Sequence, residues 1–279
     1  PKFKYVKEYL FVSFPLVVGQ SIAVVDEQLY RIFGSVLSAG SVASFRYARR
    51  IALLPVGVVA QAIGVASYPL LAKLFKNNDL EELNLLVRKQ LVYLFKVNGA
   101  LMVFYILHSQ FLIELIYERG VFTTQDTLRV SSVFSIIAFA IVPWSLNQIL
   151  TRSFYIQKNF WFPVISGSLI TFMTVVFLIM TGNKTAEEYA TVITFSLFLY
   201  SVILLYTVKF DETKVFNKFL VMDLVKASFV LLIIYYLLSQ LLTLEGLLGA
   251  FISLLIIFLI SYASIGLLKF KYINITKRR

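Results

Sequence analysis

The stretch Asn159–Asn183, NFWFPVISGSLITFMTVVFLIMTGN, runs for 25 residues without a charged side chain. About 20 apolar residues, rising roughly 1.5 Å each, cross a hydrocarbon core about 30 Å thick. Inside lipid, backbone polar groups must be satisfied by the chain itself, so only a helix or a closed barrel can span. A barrel would show alternating segments of about 10 residues, and the sequence has no such alternation. The stretch reads as a transmembrane helix.

The same reading extends outward in both directions. Charge-free runs occur at Ile51–Ala72, Val97–Ile113, Val130–Thr151, Tyr189–Val208, Ala227–Leu244 and Gly246–Leu268. A further run, Tyr9–Val25, continues past three charges to Leu37. The expected fold is an all-α polytopic membrane protein of eight transmembrane helices. A charged linker, Lys209 to Lys218, divides it into a six-helix lobe (1–208) and a final helix pair with a basic tail (209–279). Composition agrees: 59% of the 279 residues are hydrophobic and 15% charged, against about 45–50% and 25% in soluble domains. The absence of cysteine excludes disulfides, zinc-thiolate sites and thiol catalysis. No cleavable signal peptide precedes the first span, and a chain opening at Pro1 reads as part of a longer protein.

The net charge is +11, which in a soluble protein would suggest nucleic acid. Its distribution points elsewhere. With eight spans, eighteen lysines and arginines fall on the side of both termini, and only Arg119, Arg129 and Lys184 on the other. That bias places both ends in the cytoplasm and requires no nucleic-acid partner.

Charges within the spans are the candidate functional residues, because a charge at the bilayer centre costs a few kcal/mol and usually faces a cavity or partner. Arg46, Arg49 and Arg50 are spaced i, i+3, i+4 and read as one basic helix face. Arg50 lies roughly 13 Å below Ser41, deep for snorkelling, whereas Arg46 can reach the interface. Lys96 is a further basic residue within a span. Glu27 and Arg31 are spaced to pair with each other. Asp26 is left either to pair with an arginine of the next helix or to bind a cation. Prolines inside spans, Pro15, Pro55 and Pro143, read either as ordinary membrane-helix prolines or as bends lining a cavity. His108, the one histidine, reads as an interfacial side chain. The acids of the outer side, Glu114, Glu118, Asp126, Glu187, Glu188 and Glu245, form no catalytic pair. No metal cluster or phosphate-binding glycine loop is visible, so neither an enzyme nor a bound cofactor is expected.

The segment Asp26–Leu71 carries a family resemblance. Its elements are Asp26, the turn at Gly40, Tyr47-Ala48-Arg49-Arg50, Leu54-Pro55-Val56-Gly57 and Pro69-Leu70-Leu71. Later, Tyr117-Glu118-Arg119-Gly120-Val121-Phe122-Thr123-Thr124-Gln125-Asp126 and Phe154-Tyr155 with Pro163 continue it. Their order resembles the C-terminal half of MurJ (MviN)-type lipid II flippases. That resemblance implies family spans seven to fourteen, a cavity between two lobes and alternating access. It implies a lipid-linked precursor carried from the inner to the outer leaflet of a bacterial inner membrane. Partners would be membrane lipids and the preceding N-terminal lobe. It also implies that Arg50 contacts the substrate diphosphate, with Arg49 and Arg46 beside it. Arg49 stands where some members carry an acid. Sodium coupling is used by some members through an Asp at the position of Asp26. Here the span that should supply its partners, Asn159–Asn183, offers only hydroxyls such as Thr171 and Thr174, which leaves the membrane potential as an open driving force. Other readings are a flippase for a different polyprenyl-linked glycan, a drug/cation antiporter and a non-transporting membrane scaffold.

Overall fold

The computed structural model describes residues 10, 13, 14, 17, 40–181, 185–210, 213–241 and 249–256. Gly40, at φ 92°, makes the left-handed turn from which the first continuously described helix starts. That helix is 36 residues long in three parts: α1 (Ser41–Pro55), a π-helical segment (Val56–Gln61) and α2 (Ala62–Lys76). Pro55 has no N–H to give the turn above it, and its ring crowds that turn. The wider π-helical turn that follows keeps the helix continuous, so the proline changes the winding without ending the span.

The next helix, α3 (Leu80–Leu107), begins well before the charge-free run Val97–Ile113 and ends inside it, with α4 (Ser109–Tyr117) following. Half of the most apolar window of α3 is buried, so protein rather than lipid surrounds much of it and polar residues are tolerated along its lower half. The run Val130–Thr151 is likewise two helices, α5 (Thr124–Ala138) and α6 (Ile141–Ile156), bent by 41°. Pro143 sits in the first turn of α6, where an N–H has no intrahelical partner. The chain continues through α7 (Trp161–Thr181) and α8 (Ala186–Thr207). The charged linker then closes into a two-residue antiparallel ladder, β1 (Lys209–Phe210) with β2 (Thr213–Lys214). It leads to α9 (Lys218–Leu241) and a helical stretch at 249–256.

Among the described residues, up to six spans are long and apolar enough to cross a membrane, counting the bent pair as one. Of the other two expected spans, Tyr9–Leu37 lies almost wholly outside the described residues and Gly246–Leu268 is described only at 249–256. The architecture is therefore a helical, multi-pass membrane fold, with a two-residue ladder as its one described strand pair.

The helix α3 is its centre. On one side Leu83, Val87, Leu91 and Leu94 are buried in the main core with Ile149 and Leu150 of α6. On another, Ala100, Val103 and Phe104 meet Leu231, Ile234 and Leu238 of α9. Between lipid-bathed helices there is no water to expel, so association relies on close packing at small residues. Gly99 is such a site: a Cβ there would stand 2.6 Å from Leu231 Cδ1. Lower on the same seam, Arg88 pairs with Asp223 at 3.0 Å. Most of α9 is open, and Phe229, Leu232 and Tyr236 give that side an exposed apolar surface.

His108 departs from its interfacial reading. It is buried at the break between α3 and α4, within hydrogen-bond distance of Ser253 Oγ (3.1 Å) and against the Phe104 ring. A residue near the apparent end of an apolar run is covered here by a later helix, which local hydropathy does not register.

Candidate functional site

The site is built on α1. Phe45, Ala48 and Ala52 are buried, with Phe45 edge-on to Tyr189 of α8 at 5.2 Å. Seating α1 by this face leaves its opposite face open. Arg46, Tyr47 and Arg50 are exposed there, and the basic stretch gives way to exposed Leu54, Val58 and Val65. Arg46 and Arg50 stack one turn apart. Arg49 takes the other flank: it is half-buried and its guanidinium carbon lies 5.9 Å from the centre of the Trp144 ring of α6. The spacing that suggested a single basic face therefore yields two exposed arginines and one held against an aromatic ring. Among the described residues, none of the three has a carboxylate partner.

Four acids at this end of the bundle are engaged with groups other than the arginines. Glu118 accepts hydrogen bonds from the Thr124 and Thr127 hydroxyls at 2.6 and 2.5 Å. Asp126 closes a capping box with Thr123 at the start of α5, and Glu188 does the same with Thr185 at the start of α8. Glu187 accepts from Ser132 at 2.6 Å. Carboxylates near helix N-termini satisfy orphan N–H groups and complement the helix dipole, so these acids help fix where the helices start.

The Thr124 and Thr127 hydroxyls hold the Glu118 carboxyl below its usual range. A lowered folded-state pKa contributes stability that is present at neutral pH and lost as pH falls through the lowered value. Amide protection across residues 118–127, taken as the ratio of the intrinsic to the observed exchange rate at each pH, is expected to hold at neutral pH and to fall below about pH 4, the ordinary carboxylate range. Replacing Glu118 with Gln should remove most of that pH dependence.

Arg152, counted from sequence only as a topology charge, lies half-buried in α6. Its Nη1 donates to the Gln148 carbonyl and Oε1 at 2.5 and 2.7 Å. Its guanidinium rests on Gly64 of α2, where a Cβ would stand 2.8 Å from Nη1. Lys96 is half-buried midway along α3. Asp26, Glu27 and Arg31 lie outside the described residues, so no contact between them and the arginines is described. Among the described residues, no group of three His, Cys, Asp or Glu side chains could hold a metal.

A family model for the lipid II flippase MurJ matches residues 2–259. The chain belongs to the MurJ family. Relatives include a probable lipid II flippase MurJ of Helicobacter pylori strain J99, 34% identical over 154 residues, covering 54% of this chain and 33% of the relative. Another, from Aquifex aeolicus, is 28% identical over 173 residues, covering 62% and 33%. A solved structure titled lipid II flippase MurJ, inward closed conformation, superposes with a TM-score of 0.73 at 23% identity, covering 97% of this chain and 56% of that one. The chain thus spans about a third of the length of the curated relatives and just over half of the solved structure.

Within this MurJ-family chain, two separated motif stretches meet. Tyr47 of the arginine helix lies 4.7 Å from Tyr117 and 5.7 Å from Phe122, ring centre to ring centre. Arg50 is within electrostatic reach of Tyr117. The sequence reading singled out both stretches but not their contact, and it missed Trp144. A lone tryptophan in an apolar run carries no local mark of a cation beside it.

Proposed function

We propose that the chain is the C-terminal part of a flippase that carries lipid II from the inner to the outer leaflet of a bacterial inner membrane by alternating access. The observation that carries this reading is the set of three guanidiniums on α1 without a described carboxylate partner, two of them on its open face. An arginine near the low-dielectric core needs an anion or water, and its planar fork suits a diphosphate. Arg50 is the principal substrate contact, with Arg49 and Arg46 concentrating positive potential along the same path.

Residues 1–208 act in this reading as the transport lobe and 209–279 as an appended pair. The seam of α9 against α3 and the open apolar side of α9 support a role for that pair in guiding the isoprenoid tail. The lysine and arginine bias puts Val121 outside and Asn77 inside, with both ends cytoplasmic.

The test is the full-length protein in sealed vesicles with labelled lipid II. Headgroups should become accessible on the opposite face, and Val121→Cys and Asn77→Cys should label from outside and inside respectively. Transport of an organic cation in place of lipid II would instead establish the antiporter reading.

A further inference from the structure

We propose that Tyr47 is the sugar-contacting residue of this half, receiving the pyranose that adjoins the diphosphate held by Arg50. The proposal rests on the flippase reading above and adds the class of group bound beside the anion. Tyr47 and Arg50 are spaced i, i+3 on α1, which puts their Cβ atoms about 5–6 Å apart. That is comparable to the step from a phosphate to the sugar it carries. Tyr47 remains 38% exposed, while its neighbours Tyr117 and Phe122 are half-buried. An aromatic face carries negative charge at its centre, and the C–H-rich face of a pyranose is weakly positive, so the two stack. Sugar hydroxyls at the rim would then meet the Tyr47 phenol and the neighbouring Arg46, which is exposed one residue away.

Tyr47 is packed into a ring cluster, which distinguishes it from a stray surface tyrosine. Tyr117 and Phe122 are 5.9 Å apart and close a three-ring cluster with Tyr47. Gly120, at φ 64°, lets the chain reverse between them. Glu118 ties the same loop to α5 through Thr124 and Thr127. That tie engages its carboxylate with hydroxyls, and among the described residues it forms no ion pair with the arginines.

The test compares two lipids with the full-length protein in vesicles: lipid II, and the same polyprenyl diphosphate without sugars. Tyr47→Leu should weaken lipid II binding about tenfold and leave the sugar-free lipid unchanged. Tyr47→Phe, which keeps the ring, should retain most of the lipid II affinity, and Arg50→Ala should weaken both lipids. The readout is the ratio of the two affinities within each variant, so partial misfolding, which lowers both together, does not mimic the effect. An unchanged ratio in Tyr47→Leu overturns the sugar contact while leaving the diphosphate reading in place. A wild-type protein that binds neither lipid overturns the flippase reading, and the sugar contact with it.

Discussion

Replacing Arg50 with alanine is expected to abolish lipid II transport by the full-length protein while leaving its folding intact. The side chain is exposed on the open face of α1, so truncation leaves no cavity and breaks no described ion pair. Folding stability should change by less than about 0.5 kcal/mol. Transport is different. A charge-assisted hydrogen bond contributes about 1.5–3 kcal/mol, and a bidentate pair to a diphosphate offers two. Losing both corresponds to at least a hundredfold slower transfer. Arg50→Lys keeps the charge but loses the fork, and should recover only part of the rate. Arg46→Ala should be milder, because Arg46 lies within reach of the interface. Headgroup exposure in vesicles, measured beside the thermal unfolding of each variant, reads both effects. An Arg50→Ala protein that folds and transports at the normal rate would remove the residue from the mechanism.

How far this site was legible in sequence depends on the kind of signal. The spans were legible because bilayer thickness imposes a length, and α7 and α8 follow their charge-free runs closely. The arginine helix was legible because guanidiniums inside an apolar run are costly and so conspicuous. The direction of Arg49 was not. A spacing of i, i+3 permits either flank, and Trp144, which is distant in sequence, selects one. The long α3 was misjudged in extent because charge-free length measures lipid contact, and α3 is surrounded by protein over much of its length. The bend between α5 and α6 falls inside a single apolar run for the same reason: packing inside the lobe, not hydropathy, sets where a helix turns. His108 and Arg152 illustrate the converse, with polar residues that local pattern assigns to an interface or a topology count being covered by helices from elsewhere in the chain.

Asn98 follows from that last point and carries the other large expected effect. It lies in an apolar run of α3, is fully buried, and its Nδ2 donates to Ser145 Oγ of α6 at 2.7 Å. Ser145 in turn donates to the Ile141 carbonyl in the first turn of α6 at 2.6 Å, just past the bend. The amide thus ties the central helix to the broken one through a short polar chain in the core. Replacing Asn98 with Asp keeps the shape but removes the donor and introduces a carboxyl with no cation beside it. Burying that group costs about 3 kcal/mol, a large part of a typical stability of about 5–15 kcal/mol. Unfolding in detergent should then fall by roughly 10 °C, with reduced yield. Asn98→Ala should cost only about 1 kcal/mol, because Ser145 keeps its bond to Ile141. Thermal unfolding followed by size-exclusion fluorescence separates the two. If the Asp variant unfolds no earlier than the Ala variant, the core at this point is open to water, and the tie between α3 and α6 is not what holds the bend.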